Sequence, residues 1–162
     1  MVKFLLGIAI VAFTSFCGYL LAKKYRQKKK FFSQFVLFNE RFLSELAYFR
    51  RPIREFIFAY SYQGEFFQFL EESFSQNALV SFQSVLNTNA YTFLSAEDKA
   101  LVDNYFSMLG KADSMAQKAY FSSVKDVLKK AEADAISESK KYGDLYVKMG
   151  FLLGLLILIL II

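Results

Sequence analysis

The 162-residue chain has no histidine, no tryptophan, one cysteine, one proline and only seven glycines. Each shortage excludes something. Without histidine there is no Ser-His-Asp or Cys-His relay, and the commonest metal ligand is missing. A lone cysteine, Cys17, cannot close an internal disulfide or build a thiolate cluster, and its apolar setting suits a small hydrophobe. No glycine-rich phosphate loop, no GxxxxGK(S/T) and no HExxH occurs. The acid pairs Glu71-Glu72 and Glu97-Asp98 are adjacent, so on a helix they do not face each other. The sequence therefore names no catalytic residue, no cofactor and no metal, and it reads as a non-enzyme.

Apolar and aromatic residues are abundant: the apolar fraction is 55%, and there are 20 Phe. Phe4 to Ala22 is an uncharged run of about 19 residues, spanning about 28 Å as a helix, close to the hydrocarbon thickness of a bilayer. A cleaved signal peptide fits poorly, because Leu20 and Ala22 make a weak small-x-small site and the run is long. Lipidation at Cys17 also fails, with bulky Phe16 before it and apolar residues after it. A retained transmembrane helix is the expectation for 1–22. From Leu145 to Ile162 a second apolar stretch of about 18 residues reaches about 27 Å, with Lys148 snorkelling back to the headgroups.

The positive charge is concentrated in one place. Lys3 precedes the first run, whereas Lys23, Lys24, Arg26, Lys28, Lys29 and Lys30 follow it; from Phe31 onward 13 basic residues face 15 acidic ones. The net charge of +5 is thus juxtamembrane, and the basic balance is no sign of nucleic-acid binding. By the positive-inside rule the N-terminus lies outside and the chain after Ala22 lies in the cytoplasm. Lys140, Lys141 and Lys148 orient the second helix the same way, which puts the C-terminus outside as well. Contact of the cluster with anionic lipid follows as a secondary effect, at about 1 kcal/mol per cation near the surface.

The expected organisation is a membrane helix (1–22), a basic segment (23–30), a cytoplasmic all-α bundle of about six antiparallel helices (31–144) and a second membrane helix (145–162). Phe31, Phe35, Phe38, Phe42, Leu46 and Phe49 recur in steps of three and four, a helical stripe continuing the first membrane helix. Pro52 suits the first position of a second helix with Ile53, Phe56, Ile57 and Tyr60 on one face. Gly64 marks a turn to a third helix with Phe66, Phe67, Leu70 and Phe74, and a fourth is expected near Ala78 to Leu86. Ser95 and Asp98 form a capping-box pattern, and Gly110 suits the end of the helix they open. Asp113 then caps a long helix with apolar positions Ala116, Tyr120, Val124, Val127, Leu128, Ala131, Ala135 and Ile136; it has no breaker before Gly143 and is expected to run on into the membrane, with a kink at Gly143 as the alternative. Phe58, Tyr62 and Phe69 fall off the stripes and are candidates for core volume or for a docking surface, as Arg50, Arg51 and Arg54 are for an acidic partner.

Four segments together resemble the stage III sporulation protein AB family of endospore-forming bacteria: GYLLAKKY (18–25), FLSELAYFRRPIREF (42–56), LGKADSMAQKAYF (109–121) and KKYGDLYVKMGFLLGLLILILII (140–162). The last two are the most specific, with Leu109, Gly110, Asp113 and Gln117 in the third. Where the family usually has Ser before the aspartate, this chain has Ala112. The resemblance implies a helical domain similar to the F-type platform subunit of type II secretion and type IV pilus systems. It also implies membership of the mother-cell/forespore channel complex, with the sporulation AA protein, a secretion-type ATPase, as partner beside other membrane components. Self-association is a further option. Pro52, Gly110, Asp113 and Gln117 are expected to be structural. The alternative is a membrane-tethered lipid- or nucleic-acid-binding scaffold acting through the basic cluster; a holin-like pore is disfavoured by the size of the intervening domain.

Overall fold

The computed structural model describes residues 2–48, 53–59, 64–75, 82–109 and 114–161, and every regular element among them is helical. The elements are α1 (Val2–Tyr48), α2 (Ile53–Ala59), α3 (Glu65–Ser75), α4 (Phe82–Leu86), a 3-10 turn (Asn89–Tyr91), α5 (Ala96–Ser107), α6 (Ser114–Glu138), a π-turn (Ser139–Gly143) and α7 (Asp144–Ile161). The last three form one unbroken helical run, so the expected all-α class and helix number hold among the described residues. Contacts divide the chain into two compact units, Gln27–Asp134 and Met1–Arg26 with Ala135–Ile162.

The unit Gln27–Asp134 is built on the phenylalanine ridge of α1. Phe31, Phe35, Phe38 and Phe42 are buried, as the stripe predicts, while Leu46 is half-buried and Phe49 lies outside the described residues. Other helices contribute rings to this ridge. Phe35 meets Tyr105 of α5 edge-on at 4.8 Å and stacks on Phe66 of α3 at 5.2 Å. Phe42 meets Phe56 of α2 at 5.5 Å and Phe121 of α6 at 5.0 Å. Offset and edge-to-face pairs of this kind add about 0.5–1.5 kcal/mol each beyond the area they bury. Phe69, which the sequence leaves between core volume and a docking surface, belongs to the core: it is fully buried against Phe31 and Phe106, because a short helix inside an aromatic core buries more than one stripe.

Polar groups tie the same helices together. Tyr105 donates its hydroxyl hydrogen to Asn39 Oδ1 at 2.9 Å, and Asn39 Nδ2 donates to the Phe121 carbonyl at 3.3 Å, so one buried carboxamide joins α1, α5 and α6. At the start of α5 the capping box is complete: the Asp98 N–H donates to Ser95 Oγ at 3.1 Å and the Ser95 N–H to Asp98 Oδ2 at 2.9 Å. Asp98 also holds Lys28 of α1, Nζ to Oδ2 at 3.0 Å, with both side chains less than one-fifth exposed.

The long helix follows its expected course, with some exceptions on its buried face. Of the expected apolar positions in α6, Leu128 and Ala135 are buried, Tyr120, Val124, Ala131 and Ile136 are half-buried, and Ala116 and Val127 are exposed; Gln117 and Phe121, outside that pattern, are buried as well. As expected the helix runs on past Gly143, widening there into one π-turn before it continues as α7. Gly64 is a turn residue as expected, with φ at +85°, a conformation that glycine adopts without the steric cost paid by other residues. The fourth helix is described only over Phe82–Leu86. Pro52, Tyr60, Gly110 and Asp113 lie outside the described residues.

Candidate functional site

The unit formed by the start of α1 and by α7 is a pair of antiparallel helices. Gly7 lies against Leu158, Gly154 against Val11 and Thr14, and Gly18 against Gly150. A Cβ on Gly150 would sit 2.6 Å from the Thr14 carbonyl oxygen and 3.1 Å from Gly18 Cα; one on Gly18 would sit 2.5 Å from the Tyr146 carbonyl oxygen. These neighbours are backbone atoms, so the helices can lie this close only because both residues lack side chains. Gly150-x-x-x-Gly154 inside an apolar run is a readable sequence signal for such packing, and it was missed.

The outward faces of this pair are apolar. Phe13, Phe16, Leu152, Leu156, Ile159 and Leu160 are all more than half exposed. Helical stretches within Gly7–Ala47 and Met115–Leu160 are long and apolar enough to cross a membrane, and only 17% of each apolar window is buried, unlike the core helix of a water-soluble domain. That pattern suits a lipid environment.

One end of the pair collects rings and cations. Tyr25 stacks on Tyr142 at 5.4 Å and on Tyr146 at 5.9 Å, uniting the end of the first apolar run with the π-turn and the start of α7. Lys24 lies 4.9 Å from the Tyr25 ring, Lys141 5.1 Å from Tyr142, and Arg26 5.8 Å from Tyr19. The two basic clusters, Lys23, Lys24 and Arg26 from α1 and Lys140 and Lys141 from the π-turn, thus share one end of the hairpin. Lys148 is exposed within α7.

The six cations that follow Ala22 differ in their surroundings. Lys28 is held by Asp98. Lys29 and Lys30 line a concavity of about 260 Å³ with Ser33, Gln34 and Gly64. Of the candidate partner residues, Phe58 is 44% exposed on α2. Arg50, Arg51 and Tyr62 lie outside the described residues, as does the side chain of Arg54. Gln117 is buried in α6. Among the described residues no cluster of acidic, cysteine or histidine side chains is arranged to hold a metal.

A family model described as stage III sporulation protein AB matches residues 3–162, nearly the whole chain. No curated protein and no solved structure matches it.

Proposed function

The chain belongs to the stage III sporulation protein AB family, and from that premise we propose that it is a non-enzymatic membrane platform in the channel complex joining mother cell and forespore, docking a secretion-type ATPase on its cytoplasmic side. The observation that carries the membrane part is the shared basic end of the hairpin. With Tyr25 stacked on Tyr142 and Tyr146, both cation clusters fall on one side of the apolar span. The positive-inside rule makes that side cytoplasmic, with tyrosines at the interface where amphipathic rings settle. Both termini then face away from the mother-cell cytoplasm, and the chain from Gln27 to Asp134 lies within it.

The docking part rests on the family and on surface chemistry. Exposed Phe58 supplies an apolar anchor next to a sequence holding Arg50, Arg51 and Arg54, and Tyr62 follows. Aromatic and arginine side chains dominate binding energy in protein interfaces. Pro52, Gly110, Asp113 and Gln117 serve the junctions that hold this surface in shape. The energy for transport comes from the partner.

The test is capture of the sporulation AA-type ATPase by the detergent-solubilised full chain. Wild type should retain the ATPase, and Arg54→Glu with Phe58→Ala should weaken retention at least about tenfold, about 1.4 kcal/mol. No capture by the wild type, or undiminished capture by the variant with its melting unchanged, would overturn the docking reading.

A further inference from the structure

Lys29 and Lys30 have a setting different from the collar around Tyr25. Their concavity is lined by Lys29, Lys30, Ser33, Gln34 and Gly64, residues that carry two ammonium groups, a hydroxyl and a carboxamide. Among the described residues that line it none is acidic, and Lys28, one position before Lys29, is paired with Asp98. The wall at Gly64 is open, because a Cβ there would meet nothing within 4 Å. The Gln68 N–H donates to the Gly64 carbonyl at 3.2 Å, so Gly64 opens α3, and the first N–H groups of that helix have no acceptor within it. Two point charges, a hydroxyl, an amide and a helix start are a donor set for a phosphate oxyanion. The volume equals about nine waters at about 30 Å³ each, more than a bare phosphate fills and enough for its ester stem.

Lys29 and Lys30 come seven and eight residues after Ala22, the last residue of the apolar run, in the same uninterrupted helix. We infer that this concavity binds the phosphate group of an anionic lipid headgroup, as a defined site separate from the diffuse attraction of the basic collar. The inference needs the apolar helices to sit in a bilayer and is independent of ATPase docking.

The test compares two variants of equal charge in the full chain, reconstituted into nanodiscs of phosphatidylcholine doped with phosphatidylglycerol. Native mass spectrometry of the retained lipid is the readout. Lys29→Gln with Lys30→Gln should lower phosphatidylglycerol retention about tenfold, and Lys23→Gln with Lys24→Gln no more than about twofold. Gly64→Asn keeps the charge, tolerates positive φ and places a side chain at the mouth of the concavity, so it too should reduce retention. Equal losses from the two lysine pairs, or full retention in Gly64→Asn with an unchanged helical spectrum, would overturn the site. Displacement of the lipid by millimolar inorganic phosphate would keep the phosphate chemistry but overturn the lipid source. Preferential displacement by an oligonucleotide would overturn the inference outright.

Discussion

The two units solve helix packing in opposite ways. In Gln27–Asp134 helices are held apart and filled with rings: Phe31, Phe35, Phe38 and Phe42 on α1 meet Phe56, Phe66, Phe69, Tyr105, Phe106 and Phe121. In the hairpin, side chains are removed where helices cross, at Gly18 and Gly150, and the large residues point outward. The contrast is the one that a hairpin in lipid and a bundle in water would show. In water, association is driven by apolar area, so large buried rings stabilise most. Between lipid tails that drive is absent, and close backbone approach with dispersion contacts takes its place. A single chain carries both rules, changing from one to the other within α1 and again within the long run from α6 to α7.

The comparison breaks most visibly at a ring. Phe38 is fully buried and contacts Phe42, Phe56, Phe66, Tyr105 and Phe106. Phe38→Ala should cost about 3–5 kcal/mol, a large part of the stability of an ordinary domain, measured as a shift in denaturation midpoint. Adding volume should do to the hairpin what removing it does to the core. Gly150→Leu forces α1 and α7 apart, and association of the two helices in detergent should weaken by about 1–3 kcal/mol. An intramolecular energy-transfer pair in the hairpin reads this, while the melting of the other unit stays in place.

The smallest effect sharpens the picture of the water-exposed unit. Tyr91 donates its hydroxyl hydrogen to Glu72 Oε2 at 3.1 Å. Burial, and then the Glu72 carboxylate, raises this phenol above its ordinary value of 10.0. The folded chain keeps a proton that the unfolded chain releases, so this contribution is complete below pH 10 and is lost as pH rises above it. Tyr91→Phe should therefore be less stable than wild type at neutral pH by about 1–2 kcal/mol, with the gap narrowing above pH 10 in urea titrations. A gap that stays constant with pH would detach Tyr91 from the alkaline loss.

Local and strongly periodic features were legible. The α1 ridge repeats one residue type at helical spacing, and the Ser95–Asp98 box spans three residues. What the sequence did not reveal depends on distant partners. On α6 Leu128 and Ala135 follow the apolar pattern, but Gln117 is buried while Val127 is not, a choice made by the helices packed against it. The link from Lys28 to Asp98 joins residues far apart in the chain, so the cation cluster read as uniform when its members differ in their surroundings. The π-turn inserts one residue into a helical turn, and no composition marks that. The glycine crossing was readable in principle, but its letters were absorbed into the count of an apolar run.

The central claim is that the basic end of the hairpin faces the cytoplasm and carries the aromatic unit there. With Cys17 replaced by alanine, Ser122→Cys and Val2→Cys can be probed separately with a membrane-impermeant maleimide. Ser122 is exposed on α6, so its reactivity reports only the side of the membrane. The account predicts that in intact cells Val2→Cys is labelled and Ser122→Cys only after permeabilisation. Labelling of Ser122→Cys in intact cells would contradict it.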